Sequence, residues 1–213
     1  MAKIIAAKAW CNNEVGYLAW KTDEPIADCL GFMIRRLHFD LQGTEVARRI
    51  LPAWVAFRTQ SNPEWEEQDT SVWPVQKFSW RDLTLRRSRN ETELREGVFK
   101  ARYEIVPVGK PGPGRMAVPP SPTAPFVDAQ NKPRYEGAPI PLFFCGTPFQ
   151  TNDILVTSEF GSVSVAFTNG ILSTQNLRKQ LKTPGAQCPR ALGAGGQSAW
   201  QPHPSDCRTG WQL

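Results

Sequence analysis

Histidine is the side chain best suited to proton transfer or nucleophilic attack near neutral pH, and this chain of 213 residues has two, His38 and His203. A Ser–His–Asp arrangement needs a histidine held between a nucleophile and a carboxylate. His38 lies in RRLHFD at the end of a predicted strand, and Asp40 on the same strand would point the same way. A structural role is favoured for His38. The sequence therefore predicts no catalytic residue.

The cysteines do not indicate metal or disulfide chemistry. They are odd in number and widely spaced, and no Cys-x-x-Cys pair occurs among Cys11, Cys29, Cys145, Cys188 and Cys207. Zinc sites and disulfide frameworks show closely spaced or even-numbered cysteines. We therefore expect no metal site, no cofactor and reduced thiols, as in a cytoplasmic protein.

The net charge of +5 permits contact with phosphate groups but does not require it. Several arginines between residues 35 and 89 alternate with tryptophans, and such mixtures can bind nucleic acid. However, acidic residues at 64–69 would repel phosphate, and tryptophans in strand-like stretches more often fill cores: Trp54, Trp65, Trp73 and Trp80. We therefore do not expect a nucleic-acid partner.

Four segments have the alternation of half-buried strands: 3–10, 15–21, 30–37 and 101–108. Shorter or edge strands are predicted at 52–59 and 72–80. The 72–80 strand fits an edge position or a strand start, because Pro74 has no N–H to donate to a strand ladder. Strands separated by turn residues are typical of an antiparallel sandwich and not of alternating strand–helix units.

A Pro-rich loop is predicted at 109–141, which holds nearly half of the 19 prolines. Further strands follow at 142–146, 153–160 and 162–169, which would complete the sheets or pair as a late hairpin through Gly161. The β-domain would then span residues 1–170.

A short lead-in helix is predicted at 171–183, with Ser173 or Thr174 as its N-cap. Residues 184–213 show neither helical nor strand periodicity and contain no Lys or Glu, so we expect a disordered tail. The abrupt change in composition suits a truncation or a frameshift.

No apolar run approaches the roughly 20 residues of a membrane-spanning helix. The N-terminal MAKIIAAKAW reads as a first strand and not as a secretory signal. We expect a cytoplasmic protein without a transmembrane segment.

Four stretches resemble, in order, the N-terminal region of bacterial phospholipase D-like proteins. They are VGYLAWKTDEPIADCLGFMIRR (15–36), SVWPVQKFSWRDLTLR (71–86), ARYEIVPVGKPG (101–112) and VAFTNGILSTQNLRK (165–179). The resemblance covers roughly residues 1–183 and implies a fibronectin type III-like or Ig-like sandwich in front of a catalytic part. Its core would include Trp20, Phe32, Ile34, Tyr103 and Ile105.

The catalytic part of that family carries two His-x-Lys-x4-Asp motifs, and neither histidine of this chain begins one. The resemblance thus implies a non-catalytic accessory domain in truncated form, a scaffold or docking module for a catalytic domain or protein partner. The alternative is a free-standing β-sandwich that binds a protein or a carbohydrate. On either hypothesis the chain is not an enzyme.

Overall fold

The computed structural model describes residues 2–86 and 97–164, and these ranges contain strands but no helix. All strand pairs are antiparallel, which confirms the predicted all-β class. In chain order the strands are β1 (Ile4–Cys11), β2 (Gly16–Thr22), β3 (Cys29–Phe39), β4 (Glu45–Ile50), β5 (Pro52–Ala53), β6 (Gln68–Asp69), β7 (Ser79–Asp82), β8 (Phe99–Gly109), β9 (Phe143–Phe144), β10 (Phe149–Gln150), β11 (Ile154–Val156), β12 (Glu159–Phe160) and β13 (Val163–Ser164).

Two main sheets are formed by these strands. The smaller has the order β1-β2-β7, so β7 is an edge strand. The larger is built on β3 and β8, with β4 beside β3 and with β9, β10 and β11 along the other edge of β8. Two short pairs, β5-β6 and β12-β13, lie outside these sheets.

The two main sheets share one apolar core. Leu18 and Trp20 of β2 pack in the same cluster as Phe32 of β3 and Tyr103 of β8. The Trp20 and Phe32 rings meet edge to face, with 5.2 Å between their centroids. The predicted core residues are confirmed, since each is at most 5% exposed: Trp20, Phe32, Ile34, Tyr103 and Ile105.

The central strand β3 is buried on both faces. Phe32 and Ile34 point into the shared core, whereas Met33 joins a second cluster with Val106 and Leu142. The four strands predicted most strongly, β1, β2, β3 and β8, all occur close to their predicted ranges. The finer fibronectin-like or Ig-like assignment stays a prediction.

The predicted edge strands were mostly wrong. Of 52–59 only Pro52–Ala53 is a strand, and of 72–80 only the last two residues are. Strand β4 was missed because its EVARRI sequence is largely exposed and offers no apolar alternation. The predicted late hairpin does occur as β12-β13, and Gly161 at its turn has a φ of +65°.

The Pro-rich segment contains no strand between β8 and β9 and packs against the domain. Tyr135 contacts Trp73, with 5.1 Å between ring centroids, and Phe126 packs on the same tyrosine. The part of the predicted strand 162–169 that follows Ser164, the domain end at residue 170, the helix at 171–183 and the tail at 184–213 lie outside the described residues.

Candidate functional site

A groove of about 590 Å³ follows the edge strand β7 and is rich in aromatic side chains. Four partly exposed aromatic residues line it: Tyr17, Trp54, Trp65 and Trp80. Its remaining walls include Pro52 and Val55, the hydroxyl-bearing Ser79 and Thr84, and the charged Lys77, Arg81 and Asp82. Aromatic rings beside a few polar groups are typical of a ligand-binding site.

Trp65 reaches the groove from a strained turn. Its φ of +54° lies in the left-handed region, which a bulky residue rarely adopts. The Asn62 side chain fixes the turn, because its Nδ2 donates to the Glu66 carbonyl (2.9 Å) and its Oδ1 accepts from the Glu66 N–H (2.8 Å). Such strain costs about 1–3 kcal/mol and is found mostly at functional positions.

The opposite side of the groove is set by the pairing of β2 with β7. Tyr17 lies directly opposite Arg81, so both side chains lie on the same face of the sheet, and Tyr17 is 41% exposed. Trp80 is the next residue along β7, and the Lys77 ammonium lies 5.5 Å from its ring centroid. Trp80 pairs with the buried Leu18, so its side chain points to the core-facing side of the sheet, opposite to Tyr17 and Arg81.

Asp82, at the end of β7, joins the groove to the core. It is 1% exposed and accepts hydrogen bonds from Arg36 Nη1 (2.5 Å), the Tyr103 hydroxyl (3.0 Å) and both the backbone and side chain of Thr84 (2.9 and 2.7 Å). Burial alone would raise the pKa of Asp82, but the Arg36 charge and the hydrogen bonds from Thr84 and Arg36 hold the pKa below its usual value. The charge of Asp82 is thus neutralised by Arg36, and this ion pair connects the groove wall to the core.

The same hydrogen-bond network includes His38. His38 is buried on β3, and its Nε2 accepts a hydrogen bond from Arg36 Nε (2.7 Å). Asp40 lies beyond the end of β3 and accepts from the Thr44 N–H (2.7 Å), so the expectation that it shares the strand with His38 was wrong.

The tryptophans divide between core and groove. Trp73 is 1% exposed and fills a core, as predicted. Trp54, Trp65 and Trp80 are partly exposed and line the groove, so none of them is a fully buried core residue, although Trp80 also packs against the main core as expected. Sequence gave no sign of this convergence, because Tyr17 and Trp54 are far apart in the chain.

Metal ligation has no support within residues 2–86 and 97–164, where no three His, Cys, Asp or Glu side chains cluster. In the same ranges no helix has the length and apolar character needed to cross a bilayer.

Comparison of the chain with protein-family models, with curated proteins and with solved structures finds no match in any of the three.

Proposed function

We propose that the chain is a non-catalytic binding module whose aromatic groove takes an oligosaccharide that carries carboxylate or sulfate groups. The observation that supports it most is the convergence of Tyr17, Trp54, Trp65 and Trp80 on one groove. Their exposed faces are large and rigid, and they bind at a low cost in side-chain entropy.

Sugar rings suit this lining for a physical reason. A pyranose presents a face of weakly positive C–H groups, which complements the negative face of an aromatic ring. Its hydroxyl groups can bond with Ser79 at the groove wall. The volume of about 590 Å³ lies in the range of small-ligand sites, roughly 300–1,000 Å³.

The charge in the groove favours an acidic sugar. Lys77 and Arg81 are exposed and form no ion pair within the described part of the chain. Among the residues that the structure describes, Asp82 is the one carboxylate that lines the groove, and it is already neutralised by Arg36. A carboxylate or sulfate on the ligand would therefore meet uncompensated positive charge.

A peptide adding as a strand to β7 is the competing occupant. Strand addition derives its affinity from main-chain hydrogen bonds along a sheet edge. The β7 edge is short, because the strand has 4 residues. Strand addition would also not require the three indole rings that line the groove, so the carbohydrate is favoured.

The test is calorimetric titration of the full chain with an oligogalacturonate and with cellotetraose as the matched neutral sugar. We expect the anionic sugar to bind more tightly at low salt, with the difference lost in Lys77→Ala/Arg81→Ala. Trp65→Gly should weaken binding about tenfold or more, as loss of a central aromatic contact does. It should not lower the melting temperature, because glycine relieves the positive φ.

The control is Phe160→Ala, which removes an aromatic side chain that is 51% exposed on the β12-β13 hairpin, outside the groove. Its affinity should equal that of the unmodified chain. Binding that survives Trp65→Gly and Trp80→Ala, or that is shown by an extended peptide and by neither sugar, would refute the carbohydrate proposal.

The accessory role in a phospholipase D-like protein remains a separate prediction. On this hypothesis the purified chain should show no phosphodiesterase turnover. Metal-independent turnover that is lost in His38→Ala would contradict it.

A further inference from the structure

The outward face of the β1-β2-β7 sheet carries a row of aromatic and basic side chains at one end. Trp10 of β1 lies directly opposite Tyr17 of β2, and Tyr17 lies directly opposite Arg81 of β7. Directly paired residues project from the same face, and this face is turned away from the core, because the adjacent Leu18 is buried. Trp10 is 44% exposed, and its ring centroid lies 5.8 Å from that of Tyr17. The two rings therefore form one aromatic surface that is open to solvent.

Small side chains occupy the middle of the same face. The next outward row consists of Lys8, Ala19 and Ser79, and the row after it of Ala6 and Lys21. Ala19 and Ser79 rise little above the backbone, so a planar group can lie beside the two rings without meeting a long side chain. The face is thus a shallow surface with the aromatic pair along one side.

The outward face is positively charged. Its three cations are exposed, and none forms an ion pair within residues 2–86 and 97–164: Lys8, Lys21 and Arg81. The outward positions of these three strands, all in the described part of the chain, include no acidic residue. Glu14 and Asp23 lie beyond the two ends of β2. An anionic ligand on this face would therefore meet positive charge on several sides.

We propose that this outward face binds single-stranded nucleic acid, with bases stacked on Trp10 and Tyr17 and phosphates held by Lys8, Lys21 and Arg81. Proteins that bind single strands without sequence preference combine aromatic rings for stacking with a positive surface along the backbone. The Lys8 ammonium lies 5.5 Å from the Trp10 ring centroid, so a stacked base has a cation beside it for its phosphate. The inference does not rest on the oligosaccharide proposal, although Tyr17 and Arg81 also line the groove.

Two other anionic partners suit this face less well. An anionic lipid surface is bound by side chains whose apolar bulk enters the bilayer, whereas the rows beyond the aromatic pair hold only lysine, alanine and serine. An acidic peptide would use the cations but would leave the flat rings without a matching group. The expectation of no nucleic-acid partner was based on other tryptophans and did not involve Trp10: Trp54, Trp65, Trp73 and Trp80.

The test is fluorescence anisotropy of the full chain with a labelled oligothymidylate of about 15 nucleotides. Each phosphate contact to a single strand contributes about −0.7 to the slope of log K against log salt concentration. Three contacts therefore predict a slope of about −2. A duplex of the same length should bind more weakly, because its bases are not free to stack on the rings.

The charge contribution is tested with Lys8→Ala/Lys21→Ala, which alters exposed side chains alone and should leave the fold intact. The slope should fall to about −0.7, since one phosphate contact remains. Lys110→Ala/Lys132→Ala is the matched control, because it removes the same charge from exposed positions in the Pro-rich segment. Its slope should stay near −2. Equal slopes for the two double variants would overturn the proposal.

The stacking contribution is tested at Trp10. Trp10→Ala should weaken binding about tenfold, as loss of one stacked base does, whereas Trp10→Phe should keep most of the affinity because it keeps an aromatic face. Circular dichroism of both variants checks that the sheet is formed. Equal affinity of Trp10→Ala and the unmodified chain would show that the rings do not bind the bases.

Trp65→Gly separates this face from the groove, because Trp65 lines the groove and is not part of the β1-β2-β7 sheet. Its affinity for oligothymidylate should equal that of the unmodified chain, even where its affinity for the sugar is lost. Loss of oligothymidylate binding in Trp65→Gly and not in Trp10→Ala would place the nucleotide in the groove and overturn the proposal. Binding to phosphatidylserine vesicles but not to oligothymidylate would overturn it as well.

Discussion

At the scale of single residues, Asp82 determines how firmly the groove is attached to the core. Its carboxylate and the Arg36 guanidinium are both fully buried, and the Tyr103 hydroxyl donates to the same oxygen. A buried ion pair gains little over an apolar pair, but breaking one is costly because it leaves an uncompensated buried charge. The aromatic groove therefore has an electrostatic anchor beneath it.

Asp82→Asn should lower the free energy of unfolding at neutral pH by about 3–5 kcal/mol, because Arg36 loses its counter-charge. Tyr103→Phe should cost less, about 1–3 kcal/mol, because the pair itself remains. Urea denaturation measures both. Equal stability of Asp82→Asn and the unmodified chain would show that the ion pair is not structural.

Acid should weaken the same pair. The folded pKa of Asp82 is depressed, so its stabilising contribution is fully present above the unfolded pKa of about 3.9 and is lost as the pH falls through the folded pKa. The melting temperature should fall below about pH 4 in the unmodified chain. The fall should be smaller in Asp82→Asn, which has no carboxylate to protonate, and an identical acid profile would contradict the assignment.

At the scale of elements, the packing of β2 against β8 requires a glycine. A Cβ at Gly16 would lie 2.1 Å from the Tyr103 hydroxyl oxygen. Gly16 also pairs directly with Asp82, so the absence of a side chain on β2 leaves room for the tyrosine that donates to Asp82. The small sheet can therefore approach the large one only with glycine at this position.

Gly16→Ala should destabilise the domain by about 1–3 kcal/mol through overpacking. The double variant Gly16→Ala/Tyr103→Phe should cost less than the sum of the single changes, because removal of the hydroxyl relieves the clash. Gly112→Ala is the control, since its Cβ would meet the movable end of the Arg115 side chain. Strict additivity in thermal denaturation would argue against the clash.

At the scale of the whole molecule, a buried carboxylate ties the Pro-rich segment to the domain. Asp69 is 4% exposed and accepts hydrogen bonds from the hydroxyls of Ser71 (2.5 Å), Ser121 and Thr123 (3.2 Å). Ser121 and Thr123 belong to the Pro-rich segment, whereas Asp69 ends β6. Composition alone suggested a loop but did not show that it is held down.

Asp69→Ala should release this segment, so trypsin should cut after Arg115 and Arg134 several times faster than in the unmodified chain. Asp153→Ala is the matched control, because it breaks only an exposed ion pair with Arg102, a kind that contributes little to stability. Equal cleavage rates for the two variants would show that Asp69 does not tether the segment.

The all-β class, the four principal strands and the core positions of Phe32, Ile34, Tyr103 and Ile105 could be predicted from the sequence pattern. These are properties of local alternation, which records the face that each residue of a strand turns towards the core. Where alternation was absent, as in the exposed β4, prediction failed.

The contacts between residues distant in the chain could be seen only in the folded structure. Trp54 and Trp65 line the same groove as Tyr17, and Arg36 reaches Asp82, although neither set is close in sequence. The physical reason is that such contacts depend on strand register and on how sheets pack, and neither is written in the period of a single segment.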